Sequence, residues 1–474
     1  MGVPLPSRDL SATVSPGAAT ADLRRAALEV LLDPALSHIV DLVCWQSGRQ
    51  VHVADALGEV RLAPDGELTV DRGRNPLADV DPFSDVGYPY AAARLHSLFA
   101  DVRAPDLCVV HTGAHHWPER GGHRGEHGSL NGLQSRAPFV ISGAGVRACG
   151  LVDDVARAVD VGSTLAFLAG ASIEAMEGRP VSYADAGAAH VVGLLWDGAP
   201  SRSVIEGAMS GALPSVARLL ERGCALRGGS IAEFPSVTLV NHTSALTGVG
   251  PGRHGIVNNA FFDRAIGEQV IANSSATWHQ AMDLLRPGVR TIFERLPEGV
   301  TSACVNDPVD RGAGYSTFSL LRASGSAGGS LSSLLPRAAD DPYATHAFVT
   351  DIADYAWGTQ VDASGLEQVL GLWREGAPPG FMWWNTTLTD GAHHAGGPGS
   401  TVAAASLRDA DRRLGVWLDL VESRGLLDDT VVLLTADHGM QSADPACTGD
   451  WDAALTAAGI PFRDEAYGFI YLGV

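Results

Sequence analysis

Three segments of the sequence place an aspartate directly after an apolar run that reads as a buried strand. Asp197 follows VVGLLW, Asp390 follows MWWNTTLT, and Asp437 follows VVLLTA. Ligands in open α/β sheets bind beyond the carboxyl ends of the strands, so we expect these three carboxylates to meet at one edge of a sheet. Like charges held close together are costly unless a cation neutralises them. The pattern therefore predicts a metal site.

Imidazoles accompany two of these carboxylates. His394 stands four residues after Asp390, with His393 as its rival, and His438 follows Asp437 directly. Mixed aspartate and histidine ligation suits zinc and related divalent ions. Each segment taken alone also fits an ordinary turn after a strand. It is the three segments together that favour metal binding.

The elements that must position these residues alternate between strands and helices. The strand runs lie at 191–196, 382–389 and 431–436. Clear helical patterns lie at 214–223 and 407–421, where apolar residues recur every three or four positions. This alternation is typical of a mostly parallel sheet covered by helices on both faces, and we predict an α/β fold.

One region lacks a strong periodicity. Residues 262–380 show neither a clear helix nor a clear strand pattern, and the Gly/Ser-rich stretch 322–334 within them reads as a surface loop. We predict that this region forms a small cap or insert on the α/β domain.

The composition excludes several classes of function. The chain has 33 basic residues, all of them arginine, against 54 acidic ones, for a net charge of −21. Without lysine there can be neither a P-loop of the GK type nor a Schiff base. The negative charge argues against a nucleic-acid polymer as partner, whereas small ligands remain possible.

The sequence also predicts a cytoplasmic protein with no membrane partner. The first residues lack the basic head and apolar stretch of a secretory signal, and no apolar run approaches the ~20 residues of a membrane span. The cysteines stand singly, as expected of reduced thiols: Cys44, Cys108, Cys149, Cys224, Cys304 and Cys447. The sequence gives no indication of an oligomeric state.

A fourth segment completes a set of motifs that resembles a known family. FPSVTLVNHTSALTGVGPGRHGIVNN (234–259) stands between Asp197-Gly198 and the two later motifs, DGAHHAGGP (390–398) and TADHGM (435–440). In this order the motifs resemble the nucleotide pyrophosphatase/phosphodiesterase branch of the alkaline phosphatase superfamily. The resemblance implies an alkaline-phosphatase-like αβα sandwich. It also implies a hydrolase that acts on small phosphodiesters or nucleotide-like substrates.

The resemblance implies the roles of individual residues. In a T-x-x-N-H context the threonine is the nucleophile, which matches Thr238, and an asparagine soon after H-G-I contacts phosphate. By spacing from the threonine we choose Asn259 over Asn258. The resemblance implies two divalent cations. Zn²⁺ is the first choice, and Mn²⁺ or iron is the alternative. One would be held by Asp197, Thr238, Asp437 and His438, and the other by Asp390, His394 and a third histidine.

That third histidine is where the sequence departs from the family. Relatives place it downstream of the D-H-G motif, yet residues 439–474 contain none. Upstream, His127 precedes Pro138, the strand pattern FVISGAGV and a helical pattern, and this order resembles the end of the superfamily fold. We therefore predict His127 as the ligand. Its rivals are His111, His115, His116 and His123.

The position of His127 implies a circular permutation. Residues 1–185 would correspond to the family's carboxyl-terminal portion and residues 186–474 to the nucleophile and metal-binding portion, both forming one catalytic domain. The two termini would then lie close together. If residues 1–180 were instead an unrelated domain, the second metal site would be incomplete.

The implied reaction is in-line displacement at phosphorus through a phospho-threonine intermediate on Thr238. Phosphonate hydrolysis of the phosphonoacetate type and phosphomonoester hydrolysis are alternatives within the superfamily. Sulfatases are disfavoured because their C/S-x-P-x-R motif is absent. An alternative of another class is a non-catalytic metal-binding protein, against which the presence of both Thr238 and Asn259 counts.

Overall fold

The computed structural model describes residues 18–118, 122–274, 276–323 and 353–474. Two large sheets dominate this part of the chain, and the helices pack against their faces.

The helices have the following bounds: α1 Ala18–Leu31, α2 Ala91–Phe99, α3 Gly132–Ser135, α4 Ala158–Leu168, α5 Ser201–Ser210, α6 Pro214–Glu221, α7 Thr238–Thr247, α8 Pro251–His254, α9 Thr317–Ala323, α10 Ala353–Arg374, α11 Leu388–Gly396, α12 Thr401–Ser423 and α13 Trp451–Ala457.

The strands have the following bounds: β1 Val40–Ser47, β2 Gln50–Asp55, β3 Gly58–Leu62, β4 Leu68–Gly73, β5 Leu107–His111, β6 Gly125–Glu126, β7 Arg136–Ala137, β8 Phe139–Gly143, β9 Gly150–Val152, β10 Ala156–Arg157, β11 His190–Trp196, β12 Gly223–Leu226, β13 Ser230–Ile231, β14 Ala260–Asp263, β15 Glu268–Ile271, β16 Ser302–Val305, β17 Tyr315–Ser316, β18 Phe381–Thr386, β19 Thr430–Thr435, β20 Gln441–Ser442, β21 Phe462–Glu465 and β22 Phe469–Leu472.

The larger sheet is mostly parallel, as the sequence predicts. Its strand order within the described residues is β17-β16-β18-β11-β19-β8-β12-β9. Only β8 runs against the others, since it pairs antiparallel with both β19 and β12 while the remaining pairs are parallel. The three strands that precede Asp390, Asp197 and Asp437 are neighbours in this order. Their carboxyl ends therefore meet at one edge.

Helices cover both faces of this sheet, which makes an αβα sandwich. Successive side chains of a strand point to opposite faces of the sheet. On one face, Val192 and Leu194 of β11 pack with Trp373 of α10 and Trp417 of α12. On the other face the sheet packs against α4 and α7, through residues such as Leu165. The predicted helices at 214–223 and 407–421 correspond to α6 and α12.

The second sheet is antiparallel throughout, in the order β21-β22-β5-β1-β2-β3-β4. It combines strands from both ends of the described chain, since β22 pairs with β5. Helices α1 and α13 pack together on one face. In the same way β8, from the first part of the sequence, lies inside the larger sheet between strands from the second part.

Two element boundaries differ from what the residues alone suggest. The strand predicted at 382–389 ends at Thr386, and helix α11 begins at Leu388, so Asp390 lies in a helical first turn. Thr238, which on its own reads as a strand residue, is the first residue of helix α7. Short runs of β-branched and threonine residues do not distinguish a strand from a helix start by periodicity alone.

Part of the region 262–380, which the sequence predicts as a cap or insert, lies in the larger sheet. Strands β16 and β17 extend the larger sheet beyond β18, and α10 packs against β18. A four-residue strand leaves little sequence signal, but it pairs with the edge of the sheet that would otherwise be open. The hairpin β14–β15 lies outside both large sheets. Most of the Gly/Ser-rich stretch 322–334 lies outside the described residues.

Candidate metal and phosphoryl-transfer site

The three strand-end carboxylates converge as the sequence predicts. Asp197 and Asp437 are 6% and 2% exposed, and the amide of Gly198 donates to Asp437 Oδ1 at 3.0 Å. Asp390 enters the same cluster from the first turn of α11, within 4.8 Å of ligand atoms on Asp197 and His438. Three acidic side chains thus share one buried edge of the sheet.

Four buried atoms in this cluster lack a hydrogen-bond partner among the described residues. They are Asp197 Oδ1, Asp390 Oδ1, Asp437 Oδ2 and His438 Nε2. Burial, together with the charges of Asp437 and Asp390, raises the pKa of Asp197 well above its usual value. Buried polar atoms without partners and carboxylates held close together both destabilise the folded protein. A divalent cation would coordinate these atoms and neutralise the charge of the carboxylates.

The first predicted ligand set lies around Asp197. His438 Nε2 stands 3.1 Å from Asp437 Oδ2 and 3.9 Å from Asp197 Oδ1. Its Nδ1 lies 3.0 Å from the carbonyl oxygen of Gly439. Because a carbonyl only accepts, Nδ1 donates in this contact, and Nε2 is the ring nitrogen that faces the carboxylates. Thr238 lines a small cleft together with Asp197.

The second predicted set also comes together. Asp390 Oδ1 lies 3.4 Å from His394 Nε2 and 4.0 Å from His127 Nε2. Each histidine again engages a carbonyl through Nδ1, at 2.8 Å to Gly125 for His394 and 3.0 Å to Ser236 for His127. Burial, then His438 and His394, lower the pKa of His127 well below its usual value. Because its Nδ1 engages the carbonyl oxygen of Ser236, His127 turns Nε2 to the cluster.

The segment before His127 is held next to the D-H-G motif by a short strand pair. Strand β6 pairs with β20, so that Glu126 lies opposite Gln441. The ring of His127 stacks on that of His438, with centroids 3.7 Å apart. The order of the sequence alone could not show this contact, because more than 300 residues separate its two sides.

Four of the rival histidines, His393, His111, His115 and His116, belong to no group of possible metal ligands among the described residues. His393 Nδ1 stands 2.6 Å from the carbonyl oxygen of Thr389, and its ring joins no ligand group within the described chain. His111 Nε2 contacts the carbonyl oxygen of His127 at 3.2 Å, and His115 Nε2 that of Gly449 at 3.2 Å. His116 also joins no ligand group among the residues described.

The fifth rival, His123, also lies beside the site. Its ring lies 4.3 Å from that of His394, and its Nδ1 lies 3.4 Å from Glu126 Oε1. With Glu126 and His394 it forms a separate group from the one that contains Asp390 and His127.

Thr238 and Asn259 lie together at the start of α7. Asn259 Oδ1 accepts from the amide of Leu239 at 3.0 Å, which turns its Nδ2 donor away from the helix backbone. Asn258, the alternative, is buried; its Nδ2 donates to the carbonyl oxygen of Ala466 at 2.6 Å and its Oδ1 accepts from the amide of Asn259. The helix start also offers the amide of Thr238 to an anion.

Sequence reasoning missed two residues at the site. Asp307 follows β16, and its Oδ2 lies 2.8 Å from His242 Nδ1 and accepts from Trp383 Nε1 at 2.7 Å. Burial alone would lower the pKa of His242, but Asp307 and Asp437 outweigh it and raise that pKa. Tyr467 places its hydroxyl 3.3 Å from His127 Nε2. The strand before Asp307 is too short to give a clear sequence signal, and Tyr467 stands in no motif.

The cleft beside Thr238 is lined by neutral groups apart from Asp197 and His242. Its other described lining residues are Asn273, Trp278, Asn306, Pro308, Val361, Asn385 and Thr387. None of these is an arginine. Trp383 and Trp384, which lie in β18 before Asp390, are at most 1% exposed and belong to the core.

Comparison with known proteins agrees with the motifs. A family model described as type I phosphodiesterase / nucleotide pyrophosphatase matches residues 191–472. An uncharacterised pyrophosphatase/phosphodiesterase of Schizosaccharomyces pombe is 43% identical over 53 residues, which are 10% of this chain and 11% of that protein. The alkaline phosphatase PafA of Elizabethkingia meningoseptica is 38% identical over 60 residues, 13% of this chain and 11% of that protein. The chain thus matches about a tenth of the length of these curated relatives.

Solved structures of lower identity are also similar. Murine ectonucleotide pyrophosphatase / phosphodiesterase 5, inactive and in complex with AMP, has a TM-score of 0.35 and 16% identity over 53% of this chain and 57% of that chain. Phosphonoacetate hydrolase from Sinorhizobium meliloti with phosphonoformate has a TM-score of 0.35 and 22% identity over 56% and 59%. On the family match, this chain belongs to the type I phosphodiesterase / nucleotide pyrophosphatase family, hydrolases that act on phosphoric ester bonds.

Proposed function

We propose that this chain is a metal-dependent phosphodiesterase or nucleotide pyrophosphatase that hydrolyses small phosphodiesters through a phospho-threonine on Thr238. The observation that carries the proposal is the convergence of three aspartates with three histidines whose Nδ1 atoms engage carbonyl oxygens. One of these aspartates, Asp197, lines a cleft together with Thr238. A merely structural cluster of this kind would leave its buried oxygens and Nε2 atoms without partners.

The donor set fits two divalent cations, with Zn²⁺ first and Mn²⁺ or iron as alternatives. Asp197, Thr238, Asp437 and His438 would hold one, and Asp390, His394 and His127 the other. When bound, the cations supply positive charge at the phosphoryl group and favour the alkoxide form of the Thr238 hydroxyl.

The chain's own residues then carry the displacement. Thr238 Oγ1 forms a bond to phosphorus while the bond from phosphorus to the leaving alcohol or phosphate breaks in line with it. Asn259 Nδ2 and the amide of Thr238 donate to non-bridging oxygens, where negative charge must be stabilised. Water next cleaves the phospho-threonine, which releases the phosphate monoester and returns the free hydroxyl.

The charge of the cleft favours a diester over a monoester. A monoester carries up to two negative charges near neutral pH, and a diester carries one. The described residues that line the cleft include no arginine, and the chain has no lysine to supply a further cation. The same lack counts against a phosphonate bearing a carboxylate, which is the nearest alternative substrate class.

The decisive experiment compares wild type with Thr238→Ala on bis-p-nitrophenyl phosphate, p-nitrophenyl phosphate and phosphonoacetate, alongside metal analysis. Thr401→Ala is the matched control, because Thr401 also begins a helix but is exposed. We expect diester turnover by wild type and the control, and a loss of at least about 10³-fold in Thr238→Ala with metal retained.

Other outcomes would select the alternatives. A metal-loaded wild type that turns over none of the three substrates would be a non-catalytic metal-binding protein. Preference for the monoester or for phosphonoacetate would reassign the chain within the superfamily.

We also propose the circular permutation, with residues 1–185 and 186–474 building one catalytic domain. Strand β8 of the first part lies in the larger sheet, and β22 of the second part lies in the other sheet. A side chain on Gly473 would come within 3.5 Å of Leu23, so the end of the chain lies beside α1. A rearranged chain that begins at residue 186 and joins 474 to 18 through a short linker should fold and keep diesterase activity. An insoluble or inactive product would count against the proposal.

The proposed setting is the cytoplasm, on the single, unpaired cysteines. No helix among the described residues combines the length and apolar character required to cross a bilayer.

A further inference from the structure

Two asparagines line the cleft beside Thr238, and each has a buried side-chain oxygen without a hydrogen-bond partner among the described residues. They are Asn306, which follows β16, and Asn385, which lies near the end of β18. Their exposed fractions are 4% and 3%. A buried amide oxygen without a partner destabilises the folded protein and is uncommon unless water or a ligand satisfies it. Two of them at one cleft therefore indicate a ligand that donates hydrogen bonds.

The nitrogen of each amide is held by a backbone carbonyl group, which fixes the orientation of the side chain. Asn306 Nδ2 donates to the carbonyl oxygen of Val361 at 2.9 Å, and Asn385 Nδ2 donates to that of Asn306 at 3.1 Å. Because a carbonyl only accepts, neither amide can exchange its nitrogen for its oxygen without losing this bond. In both side chains the oxygen is thus the atom left for a ligand.

The backbone of Asn306 is also held in place. Its φ is 59°, in the left-handed region, which asparagine adopts more readily than most residues with a side chain. Its amide donates to Thr317 Oγ1 at 3.0 Å, and its carbonyl oxygen accepts from Asn385. Within the described chain, Asn306 therefore has partners for its amide, its carbonyl oxygen and Nδ2, and lacks one only at Oδ1.

The other residues of the cleft restrict the chemical class of the ligand. Its ionisable lining residues, among those described, are Asp197 and His242. Asp197 belongs to the proposed metal site, so an ammonium group of a ligand would be buried in the cleft without a counter-ion of its own. A hydroxyl group carries no charge and donates well to an amide oxygen. Trp278, Pro308 and Val361 also line the cleft and suit the carbon atoms of a short chain.

We propose that this cleft binds the organic group of the phosphodiester, and that Asn306 Oδ1 and Asn385 Oδ1 accept hydrogen bonds from hydroxyl groups of that group. The substrate class is then a phosphodiester of a short polyol. This inference rests on the proposed function of the same site, because a phosphoryl group next to Thr238 brings the attached organic group to the cleft that Thr238 lines.

The test measures equilibrium binding of phosphate monoesters, the products of such diesters, to the zinc-loaded protein by isothermal titration calorimetry. Glycerol 1-phosphate and propyl phosphate have the same carbon chain and differ only in two hydroxyl groups. We expect wild type to bind glycerol 1-phosphate about tenfold or more tightly than propyl phosphate, as for two hydrogen bonds between neutral groups.

Two variants remove one acceptor each. Asn385→Leu keeps the approximate size of the side chain, and Asn306→Gly suits the positive φ at that position. In each variant we expect the preference for glycerol 1-phosphate to fall about threefold or more, with zinc per chain unchanged. Asn75→Leu is the control, because Asn75 Oδ1 accepts from the amide of Leu77 at 2.9 Å and does not line the cleft. Any effect of a substitution on the phosphate site alone cancels in the ratio of the two affinities.

Three outcomes overturn the inference alone. Equal affinity of wild type for the two esters would mean that the cleft binds no hydroxyl group, and this comparison decides the matter even where a variant fails to fold. A preference that stays unchanged in both variants would assign the hydroxyl groups to other residues. Tighter binding of 2-aminoethyl phosphate than of glycerol 1-phosphate would make the cleft a site for an ammonium group. A wild type that takes up zinc but binds none of the three esters would instead refute the proposed function, and this inference with it.

Discussion

Replacing His127 by alanine should remove one of two metal equivalents from the protein. His127 is 2% exposed, forms a group of three possible ligands with Asp390 and His394, and comes from a part of the sequence that the family model does not cover. The substitution therefore tests whether His127 is a metal ligand and whether the first part of the sequence completes the second metal site. The expected stoichiometry is two zinc ions in wild type and one in His127→Ala.

The effect on thermal stability follows from linkage. At a free zinc concentration of 100 times its Kd, one ion stabilises the folded state by about 2.7 kcal/mol. Loss of a direct ligand should weaken binding by at least the ~100-fold seen for outer supporting residues, which leaves about 0.4 kcal/mol at the same concentration. For 474 residues the entropy of unfolding is about 1 kcal/mol/K. The metal-induced rise in Tm should thus fall from about 5 °C to about 3 °C.

The assay compares each variant with and without zinc, so that packing lost with the imidazole cancels. His115→Ala is the control, because His115 is a buried histidine of the same segment that contacts the carbonyl oxygen of Gly449. Inductively coupled plasma mass spectrometry gives the stoichiometry, and differential scanning calorimetry gives Tm. Unchanged stoichiometry and an unchanged zinc-induced shift in His127→Ala would refute the assignment of this ligand.

Three further predictions concern other parts of the molecule. Asn259→Ala should lower kcat/KM for bis-p-nitrophenyl phosphate by about 10² to 10³-fold, as for the loss of one transition-state donor, and an effect below threefold would contradict its role. Burial raises the pKa of Asp41 from 3.8 to about 6, so its stabilising effect is present below about pH 4 and is lost as pH rises through 6. Relative to Asp41→Asn, the free energy of unfolding of wild type in urea should fall by up to about 3 kcal/mol from pH 4 to pH 7, and parallel pH profiles would contradict this. Glu233 is fully buried and accepts two hydrogen bonds from Arg157 at 2.8 Å, so Glu233→Gln should lower that free energy by about 3 kcal/mol, against under about 1 kcal/mol for the exposed Glu422→Gln.

The site could be predicted from sequence wherever its residues stand next to a strong strand or within a helical repeat. Asp197 and Asp437 follow β11 and β19, and the spacing of Asp390 and His394 is that of one helix face. These signals depend only on residues close together in the sequence, so they can be recognised without knowledge of the fold. The parallel sheet follows from the same alternation of strand and helix patterns.

The remainder depends on contacts between distant parts of the chain. Asp307 lies after a four-residue strand whose identity comes from pairing with β18, and pairing is not a local property. Tyr467 reaches His127 across 340 residues through backbone geometry that no motif encodes. Similarly, only the sheet order shows that β16 and β17 belong to the central sheet and not to a cap.

The position of β8 between β19 and β12 has a consequence for how the protein folds as it is made. Residues 139–143 are synthesised early, yet one of their two partners, Thr430–Thr435, emerges nearly 300 residues later. Strand β5 is likewise synthesised long before its partner strand β22. Synthesis at about 5–20 residues per second leaves these apolar edges unpaired for tens of seconds, a state prone to aggregation. The first proposed cation site includes Asp437 and His438, so it too is complete only after β19 has been synthesised.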